Sequence, residues 1–302
     1  MHAIPENFSV GLVGYGEVGR ILAEDLRQRG TRVLAFDLRQ QGDAAMASHA
    51  RTHGVQLAAS HAALAGAADL VVCAVTASQD LAAAAAAAPG LRAGCWFLDF
   101  NSASPGAKTR AAGLIDAAGG RYVEGAVMTS LPPYRIRVPL LLGGPHARQL
   151  EPLLNALGFQ ASVVSETLGV ASATKMCRSI MIKGLEAMVI ESFTTARAYG
   201  VEDQVIASLA ETFPAIDWNR QGAYFFQRVI QHGRRRAEEV REVAQTVREA
   251  GLEPWSSTGT AQRQDWMADL ADQGLFGDKA APRSDWRVEA DRILGCVSKP
   301  KS

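Results

Sequence analysis

The chain has 302 residues, of which 48% are hydrophobic and 21% are charged, as is typical of globular proteins. Lys and Arg together number 31, as do Asp and Glu, so the formal net charge is zero. This balance excludes a general electrostatic attraction to nucleic acid or to a membrane surface. The length suffices for about two domains with a large buried core.

The cysteines and the N-terminal residues indicate a compartment. The four cysteines have no metal or redox spacing and mostly lie in apolar runs, which favours buried free thiols in a reducing compartment. Residues 1–8 lack the basic and apolar regions of a signal peptide. The run of small residues at 82–88 is too short to span a bilayer. We therefore expect a cytoplasmic protein.

Residues 8–37 are expected to form a strand, a glycine turn, a helix and a second strand. The apolar strand at 9–13 ends before the turn. Gly14, Gly16 and Gly19 follow the spacing G-x-G-x-x-G. In a dinucleotide site, the first glycine permits a tight turn, the second admits a pyrophosphate and the third lets the helix pack on the strand. A glycine turn without a ligand is the alternative, but the flanking strand and helix favour a nucleotide site.

The type of cofactor is indicated by the residues around this turn. A helix expected at 17–29 points its N-terminus at the phosphates, where free N–H groups and the helix dipole favour negative charge. Asp37 can accept hydrogen bonds from the adenosine ribose and would repel a 2′-phosphate, so it favours NAD. Arg39 could bind that phosphate, which leaves NADP open. The expected cofactor contacts are Gly14, Tyr15, Gly16, Glu17, Val18, Gly19, Asp37, Arg39, Val75, Thr76 and Asn101.

Up to about residue 165, short apolar runs alternate with helical segments, which is the pattern of a doubly wound sheet. Several runs are apolar throughout, as strands buried on both faces must be. The expected strands are residues 9–13, 32–36, 55–57, 70–75, 96–99, 122–127, 139–142 and 162–164. The expected helices are residues 17–29, 43–52, 79–88, 107–118 and 147–157.

After residue 165 the strand pattern stops and only helices are expected. They lie at residues 171–199, 202–213, 218–250, 256–273 and 284–297. The predicted fold class is α/β, with a Rossmann-type doubly wound sheet followed by an all-α second domain. We place an NAD(P)-binding domain at residues 1–166 and a helical domain at residues 167–302.

A lysine near the start of the long helix is the main candidate for chemistry. Lys175 lies one turn into the expected helix at 171–199, whose surface is largely apolar. Desolvation disfavours a charge there, as suits an acid–base catalyst, although a lysine that extends to solvent is the more common reading of such a position. Arg178 and Ser179 share its face of the helix. Ligands often bind between domains, which favours the catalytic reading.

Polar residues also follow two of the expected strands. Asn101 and Ser102 follow the strand at 96–99, where they could bond a nicotinamide ribose or a substrate oxygen. Serines here could equally cap the next helix, which begins near a proline. Val75 ends the expected strand at 70–75 and Thr76 follows it, and both are expected to lie along the cofactor.

The segment at 124–130 carries small residues and hydroxyl groups at the end of another expected strand. Such residues suit a substrate pocket, and an ordinary strand and turn is an equally good reading. We find no His/Cys cluster or carboxylate pair at metal spacing, and the six histidines are scattered, so no metal is expected.

Taken together, these residues resemble the β-hydroxyacid dehydrogenase family, which includes 3-hydroxyisobutyrate and 6-phosphogluconate dehydrogenases. The glycine turn at 11–19 looks like the cofactor motif of that family, and residues 99–105 are similar to its D-x-[ST]-[ST]-x-x-P element. Residues 169–175 look like its G-x-[GA]-x-x-x-K motif. The resemblance implies that Lys175 is the catalytic lysine and that the helical domain serves dimerisation. Residues 175–187 look most like an uncharacterised, phosphogluconate-dehydrogenase-like branch.

The expected substrate pocket departs from the family pattern. The family usually has D-A-P-V-S-G-G where this chain has residues 124–130, so Met128 replaces the serine that would hold a substrate carboxylate. Thr129 stands in place of a glycine, and Arg178 and Ser179 replace the asparagines that follow the lysine. Arg178 could compensate by binding a carboxylate through its planar guanidinium. The expected substrate contacts are Asn101, Ser102, Met128, Thr129, Arg178 and Ser179.

The sequence therefore predicts an NAD(P)-dependent oxidoreductase acting on a small hydroxy acid or related alcohol, with Lys175 as general acid and base. An imine-reducing enzyme is a second reading. A cofactor-binding scaffold without turnover is a third, favoured by the altered segment at 124–130. The expected partners are a small-molecule substrate and further copies of the chain, as a homodimer or higher homo-oligomer, with no nucleic acid and no membrane.

Overall fold

The computed structural model describes residues 4–282 and 285–297. The chain divides into two compact units, Met1–Met176 and Cys177–Ser302. A long helix that begins at Val170 continues from the first unit into the second. The functional boundary near residue 166 stays a prediction.

The first unit contains a sheet that has eight strands within its described residues. The strands are β1 Ser9–Val13, β2 Arg32–Phe36, β3 Gln56–Leu57, β4 Leu70–Cys73, β5 Trp96–Asp99, β6 Arg121–Val127, β7 Pro139–Gly143 and β8 Gln160–Ser165. Their order is β3-β2-β1-β4-β5-β6-β7-β8, and the pairing is parallel except between β6 and β7. The order reverses between β1 and β4, and ligands of such sheets bind beyond the strand ends at this point.

The helices bury both faces of the sheet. The helices of the first unit are α1 Glu17–Gln28, α2 Ala44–Thr52, α3 His61–Ala67, α4 Asp80–Ala87, α5 Pro105–Ala117, α6 Leu131–Tyr134 and α7 Ala147–Ala156. Alternate strand residues belong to opposite cores, with Val72 in the core of α1, α2 and α7, and Val71 in the core of α3, α4 and α5. This two-sided burial explains why the strands are apolar throughout.

Within its described residues, the second unit contains helices and the turns that connect them, with no strand. Its helices are α8 Val170–Tyr199, which begins in the first unit, α9 Glu202–Thr212, α10 Trp218–Glu249, α11 Trp255–Asp272 and α12 Trp286–Val297. Aromatic side chains dominate the core, with Phe193, Phe226 and Trp286 almost fully buried. Gly222 admits this packing, because a Cβ there would lie 2.8 Å from the Phe193 ring.

Charged groups are also buried in the second unit. Arg236 on α10 forms a buried ion pair with Glu186 on α8, with Nε 2.9 Å from Oε2. Lys183 on α8 lies 2.7 Å from Glu239 on α10. These pairs fix the register of α8 against α10, because a slip would leave a buried charge without its counterion.

The predicted α/β fold with a helical second part is confirmed, with local differences. β4 ends at Cys73 rather than at residue 75, because the Asn101 side chain takes the Val75 N–H at 2.7 Å in place of a neighbouring strand. Two short helices, α3 and α6, were not predicted. The helix expected from residue 284 begins at Trp286, and position 284 lies outside the described residues. Among the described helices, none is both long enough and apolar enough to cross a bilayer.

Candidate functional site

The glycine turn lies between β1 and α1. Gly14 has φ +93°, and a Cβ on it would lie 2.4 Å from the Ala74 carbonyl oxygen. A Cβ on Gly19 would lie 2.2 Å from the Gly14 carbonyl oxygen, so helix α1 could not pack as closely. A Cβ on Gly16 would meet only the Arg39 guanidinium, at 3.4 Å. The protein itself therefore demands glycine at positions 14 and 19, whereas Gly16 leaves room for a phosphate of a bound dinucleotide.

Asp37 is fixed at the end of β2. Its Oδ2 accepts a hydrogen bond from the Tyr15 N–H at 2.9 Å, and its Oδ1 accepts from the Arg39 N–H at 2.9 Å and the Arg39 Nε at 3.1 Å. Burial would raise the pKa of Asp37, but the hydrogen bonds from Arg39 and Tyr15 outweigh it and hold the pKa below its usual value. The carboxylate is thus ionised and oriented, as a ribose hydroxyl acceptor must be.

A cleft of about 480 Å³ runs beside α1. Its lining residues are Gly16, Glu17, Arg20, Ile21, Glu24, Arg39, Asp43 and His49. The open face of Gly16 and the two arginines suit the phosphates and the adenosine end of a dinucleotide. The residues present therefore fit NAD(P), and Gly16, Asp37 and Arg39 would hold it.

Behind the ends of β4 and β5, Asn101 joins the neighbouring loops. Its Oδ1 accepts from the Val75 N–H at 2.7 Å, and its Nδ2 donates to Asp80 Oδ1 at 2.7 Å and to Cys73 Sγ at 3.3 Å. Asn101 is only 3% exposed. The structure therefore shows a carboxamide engaged inside the domain, and its direct contact with cofactor or substrate stays a prediction.

A cluster of buried charged and polar side chains packs beneath the loop that carries Asn101, on the interior side of the domain. Lys108 Nζ lies 2.6 Å from Asp99 Oδ1, and the Tyr122 hydroxyl donates to Asp99 Oδ2 at 2.6 Å. Burial would lower the pKa of Lys108, but the carboxylates of Asp99 and Asp80 raise it. Burial, followed by the charge of Asp99, raises the pKa of Asp80 to about 7, although Lys108 acts in the opposite direction. Asp80 therefore titrates near neutrality beneath Asn101.

Lys175 lies against the loop that follows β5. Its Nζ donates to Ser102 Oγ at 2.6 Å, and the residue is half-buried. Both residues belong to the first compact unit. Ser104, two residues after Ser102, caps α5 by accepting from the Ala107 N–H at 3.3 Å. The cap expected in this segment is thus made by Ser104, while Ser102 holds the lysine.

The helix that carries Lys175 is anchored by Glu124. Glu124 Oε1 accepts from the N–H groups of Gly169 at 2.9 Å and Ala171 at 3.0 Å, and Oε2 accepts from Ser172 Oγ at 2.8 Å. The glutamate is fully buried on β6. A carboxylate at a helix N-terminus accepts hydrogen bonds from free N–H groups and interacts favourably with the positive end of the helix dipole. Glu124 therefore fixes the first turn of α8, and with it the position of Lys175.

The remaining residues that were expected to bind substrate take no part in the contacts of Lys175, Ser102 and Glu124 described above. Arg178 is exposed and Ser179 is buried on α8, one turn beyond Lys175. Met128 is half-buried, and its N–H donates to the Pro139 carbonyl at 3.0 Å. Thr129 is exposed. Their contact with a substrate stays a prediction.

Sequence reasoning missed a group of histidines. His49 and His53 are four residues apart at the end of α2, and their ring nitrogens lie within 4.8 Å of each other and of a Glu24 oxygen on α1. The H-x-x-x-H spacing was the available signal, since residues four apart share a helix face. The sequence gives no indication that Glu24 joins them, because α1 and α2 meet only in the folded unit.

Comparisons with known proteins agree with this architecture. The profile described as the NAD-binding domain of 6-phosphogluconate dehydrogenase matches residues 9–164, and a domain of unknown function, DUF1932, matches residues 196–267. An uncharacterized 28.5 kDa protein of Methanothermus fervidus is 28% identical over 162 residues, which are 52% of this chain and 60% of that protein. That match spans less than two thirds of the relative.

Solved structures cover more of the chain. A conserved hypothetical protein from Sinorhizobium meliloti is 35% identical, with a TM-score of 0.76 and 96% of each chain covered. The conserved protein MTH1747, described as structurally similar to 3-hydroxyacid dehydrogenases, is 30% identical, with a TM-score of 0.69 over 88% of this chain and 99% of that one. The Mycobacterium tuberculosis 3-hydroxyisobutyrate dehydrogenase is 17% identical and shares the fold, with a TM-score of 0.68 over 95% of this chain and 99% of that one.

The profile covers about half of the chain, and two relatives of at least 30% identity cover most of it. The first unit is thus an NAD-binding domain, and the chain belongs to the β-hydroxyacid dehydrogenase family.

Proposed function

We propose that this protein is an NAD(P)-dependent oxidoreductase that transfers hydride between a nicotinamide cofactor and a small hydroxy acid or related alcohol. Lys175 is its general acid and base. The observation that carries the proposal is the 2.6 Å hydrogen bond from Lys175 Nζ to Ser102 Oγ. It brings an amine to the edge of the sheet where the dinucleotide motif also lies.

A series of contacts links that amine to the glycine turn. Gly14 packs against the Ala74 carbonyl, and the next residue, Val75, donates its N–H to Asn101. Ser102 follows Asn101 and accepts from Lys175. Apart from Lys175, which lies on α8, these residues follow the carboxyl ends of β1, β4 and β5, which are neighbours in the sheet. A cofactor that starts at the glycine turn and crosses this edge would reach Ser102 and Lys175.

The cofactor preference is proposed to be NAD. Asp37 is an ionised carboxylate held at the end of β2, where the adenosine ribose is expected to bind, and its charge would repel a 2′-phosphate. Arg39 is 70% exposed and bound to Asp37, so it is the residue that would permit NADP.

The chain's own residues would carry the proton transfer. A bound nicotinamide supplies the acceptor or donor of hydride. In oxidation, the Lys175 amine takes the proton of the substrate hydroxyl as the carbinol carbon loses hydride, and in reduction it returns that proton. Ser102 holds the amine in place, and Asn101 fixes the loop that carries Ser102. Arg178 is proposed to bind a substrate carboxylate, with Ser179 beside it. Met128 and Thr129 would line the pocket.

The test is Lys175→Met, which keeps a side chain of similar length and removes the amine. We expect turnover with hydroxy acids to fall on the order of 10²–10⁴-fold, with the cofactor dissociation constant unchanged. Thr174→Ala, which changes the neighbouring exposed position, is the matched control and should retain activity. Near-normal turnover in Lys175→Met would refute the role of the lysine.

The substrate screen separates the rival functions. Purified protein would be tested with NAD and NADP against hydroxy acids, and with reduced cofactor against ketones with and without an amine. Reduction of NAD(P) by a hydroxy acid supports the proposal. Consumption of reduced cofactor only when ketone and amine are both present would indicate an imine reductase. Cofactor binding without turnover on either panel would indicate a scaffold.

The assembly and compartment are proposed from the chain as well. Met181, Met188 and Tyr199 on α8 are 71%, 62% and 79% exposed, and helical spacing places them on one face. This face suits contact with a second copy of the chain, so we propose a homodimer or higher homo-oligomer in the cytoplasm. Light scattering of Met181→Glu/Met188→Glu against the unaltered chain tests it, and an unchanged mass would refute the role of this face.

A further inference from the structure

Glu24, His49 and His53 bring metal-ligating atoms together beside the cofactor cleft. One ligand atom from each lies within 4.8 Å of the others. Glu24 Oε1 is 2.9 Å from His49 Nε2, and the rings of His49 and His53 have their centroids 4.4 Å apart. All are partly buried. Ligands of a tetrahedral ion at about 2.1 Å stand roughly 3.4 Å apart, so a small adjustment of side chains would converge them on one ion.

The ligand atoms are held by further contacts. The Tyr15 hydroxyl lies 2.9 Å from His49 Nδ1, on the opposite side of the ring from Nε2. Arg135 Nη2 lies 2.7 Å from Glu24 Oε2 and leaves Oε1 to face His49. Such outer partners orient the ligands of known metal sites. The Tyr15 contact is compatible with metal binding, because an imidazole that binds an ion through Nε2 carries its proton on Nδ1 and can donate it to the Tyr15 hydroxyl oxygen.

The backbone of Arg135 is strained, and the contacts that hold it there also position its guanidinium beside Glu24. Arg135 has φ +54° and ψ −135°, a region that is costly for a residue with a Cβ. It is held there by Glu24 and by Asp25, whose carboxylate accepts from Arg135 Nε at 2.8 Å and from the Ile136 N–H at 3.0 Å. The strain is offset by contacts that aim the guanidinium at the Glu24 carboxylate.

We propose that Glu24, His49 and His53 form a binding site for a divalent transition metal of the zinc class. Two imidazoles and one carboxylate are typical zinc ligands, whereas Mg²⁺ and Ca²⁺ prefer sites made of oxygen ligands alone. Two histidines four residues apart present their rings on one side of α2. The fourth position is open to water, because Glu24 and His49 line the cleft.

A bound ion would join α1 to α2. Glu24 lies in α1, whose N-terminus follows the glycine turn, while His49 and His53 lie at the end of α2. Through Tyr15, which lies between Gly14 and Gly16, the ion would also restrain that turn. The proposed site therefore stabilises the first unit, whether or not the chain has the activity proposed above.

The test measures binding of Zn²⁺ and Co²⁺ to the full chain, stripped of metal with a chelator and then freed of the chelator. We expect one equivalent of Zn²⁺ to bind by calorimetry and Tm to rise with Zn²⁺ concentration. Co²⁺ should give the visible absorption of a four-coordinate nitrogen and oxygen site, which is much stronger than that of Co²⁺ in water.

Variants locate the ion. His53→Ala and Glu24→Gln should each weaken Zn²⁺ at least 10-fold, since even outer-shell changes cost about 10–100-fold. His146→Ala removes an imidazole of the same unit that contacts Trp96, and it should bind as the unaltered chain does. Circular dichroism without metal shows whether each variant is folded. Absence of Zn²⁺ binding, or equal affinity in His53→Ala, Glu24→Gln and His146→Ala, would overturn the proposal.

Discussion

Glu124 offers a direct test of how the helix that carries Lys175 is held. In Glu124→Gln the side chain keeps its shape but loses its charge. The amide oxygen can still accept from the N–H groups of Gly169 and Ala171, and the amide nitrogen can donate to Ser172 Oγ. The hydroxyl of Ser172 retains its other acceptor, the Gly169 carbonyl oxygen at 3.1 Å. The substitution therefore removes the charge at the helix N-terminus with little change in packing.

The expected loss follows from the number and type of bonds. A hydrogen bond to a charged group contributes about 1.5–3 kcal/mol and a neutral one about 0.5–1.5 kcal/mol. Replacing the charged acceptor of the Gly169 and Ala171 N–H groups by a neutral one weakens both hydrogen bonds and should lower the unfolding free energy by about 2–3 kcal/mol. The interaction with the helix dipole is part of the same effect and is not added. Because Glu124 is fully buried, solvent does not screen the loss.

Glu151→Gln is the matched control. Glu151 also accepts a backbone N–H, from Val163 at 3.1 Å, but it is half-exposed and does not cap a helix. We expect it to cost less than about 1 kcal/mol. Urea unfolding would compare the two variants. Hydrogen exchange would report on the first turn of α8 itself, where the amides of Gly169 and Ala171 should exchange faster only in Glu124→Gln.

The functional consequence separates positioning from general instability. If Glu124 positions Lys175, turnover should fall at least 10-fold at a temperature where the variant is folded, since small misplacements of a catalytic group are costly. The dissociation constant of NAD should stay unchanged, because the glycine turn is elsewhere on the sheet edge. Equal stability of Glu124→Gln and Glu151→Gln, with unaltered exchange at α8, would refute the anchoring role.

Other residues give further tests. Because the pKa of Asp80 is about 7 in the folded chain against 3.8 ordinarily, folding takes up a proton between these values. The contribution of Asp80 to stability should fall as the pH rises from about 4 to 7, by on the order of 4 kcal/mol at most, and should be level above that. His232 contributes in the opposite direction over this range, because burial lowers its pKa to about 4. Asp80→Asn should therefore make stability rise more with pH in urea unfolding than it does in the unaltered chain, and an identical pH dependence would contradict the assignment. Asp37→Ser should weaken NAD roughly 10–100-fold and shift preference toward NADP, as titration with each cofactor would show. Arg236→Met leaves the buried Glu186 carboxylate without its cation and should lower the unfolding free energy by about 3–5 kcal/mol. The double variant Glu186→Leu/Arg236→Met should recover most of this loss. Equal urea midpoints for the single and double variants would contradict the prediction.

The parts of the fold that could be predicted from the sequence are those with local causes. The left-handed backbone at Gly14 and the short strands buried on both faces each leave a signal within a few residues. A strand's apolar run carries no information on its direction, so the antiparallel pairing of β6 and β7 could not be foreseen. The short helix α3, His61–Ala67, was also missed because seven residues hold too few turns to show a period.

The polar contacts of the candidate site depend on pairs that are far apart in the chain. Asp80 and Asn101 are 21 residues apart, and Glu124 and Ser172 are 48 apart. Each partner taken alone suggests something else, since Asp80 reads as an ordinary helix-start carboxylate and Glu124 as part of a substrate pocket. Their roles follow from strand neighbours, because β4, β5 and β6 lie side by side.

Lys175 shows how a local motif and a distant anchor combine. The sequence alone singles out the lysine as a candidate, but it does not predict where the lysine lies in the fold. Its position depends on Glu124 of β6, which holds the first turn of α8. That contact attaches the start of α8 to the first unit, which extends to Met176 rather than ending with β8. The amine is consequently positioned by the same sheet that forms the glycine turn. A substitution that loosens the second unit but leaves Glu124 in place should therefore preserve the Lys175–Ser102 contact, whereas loss of Glu124 should weaken it even with an intact second unit.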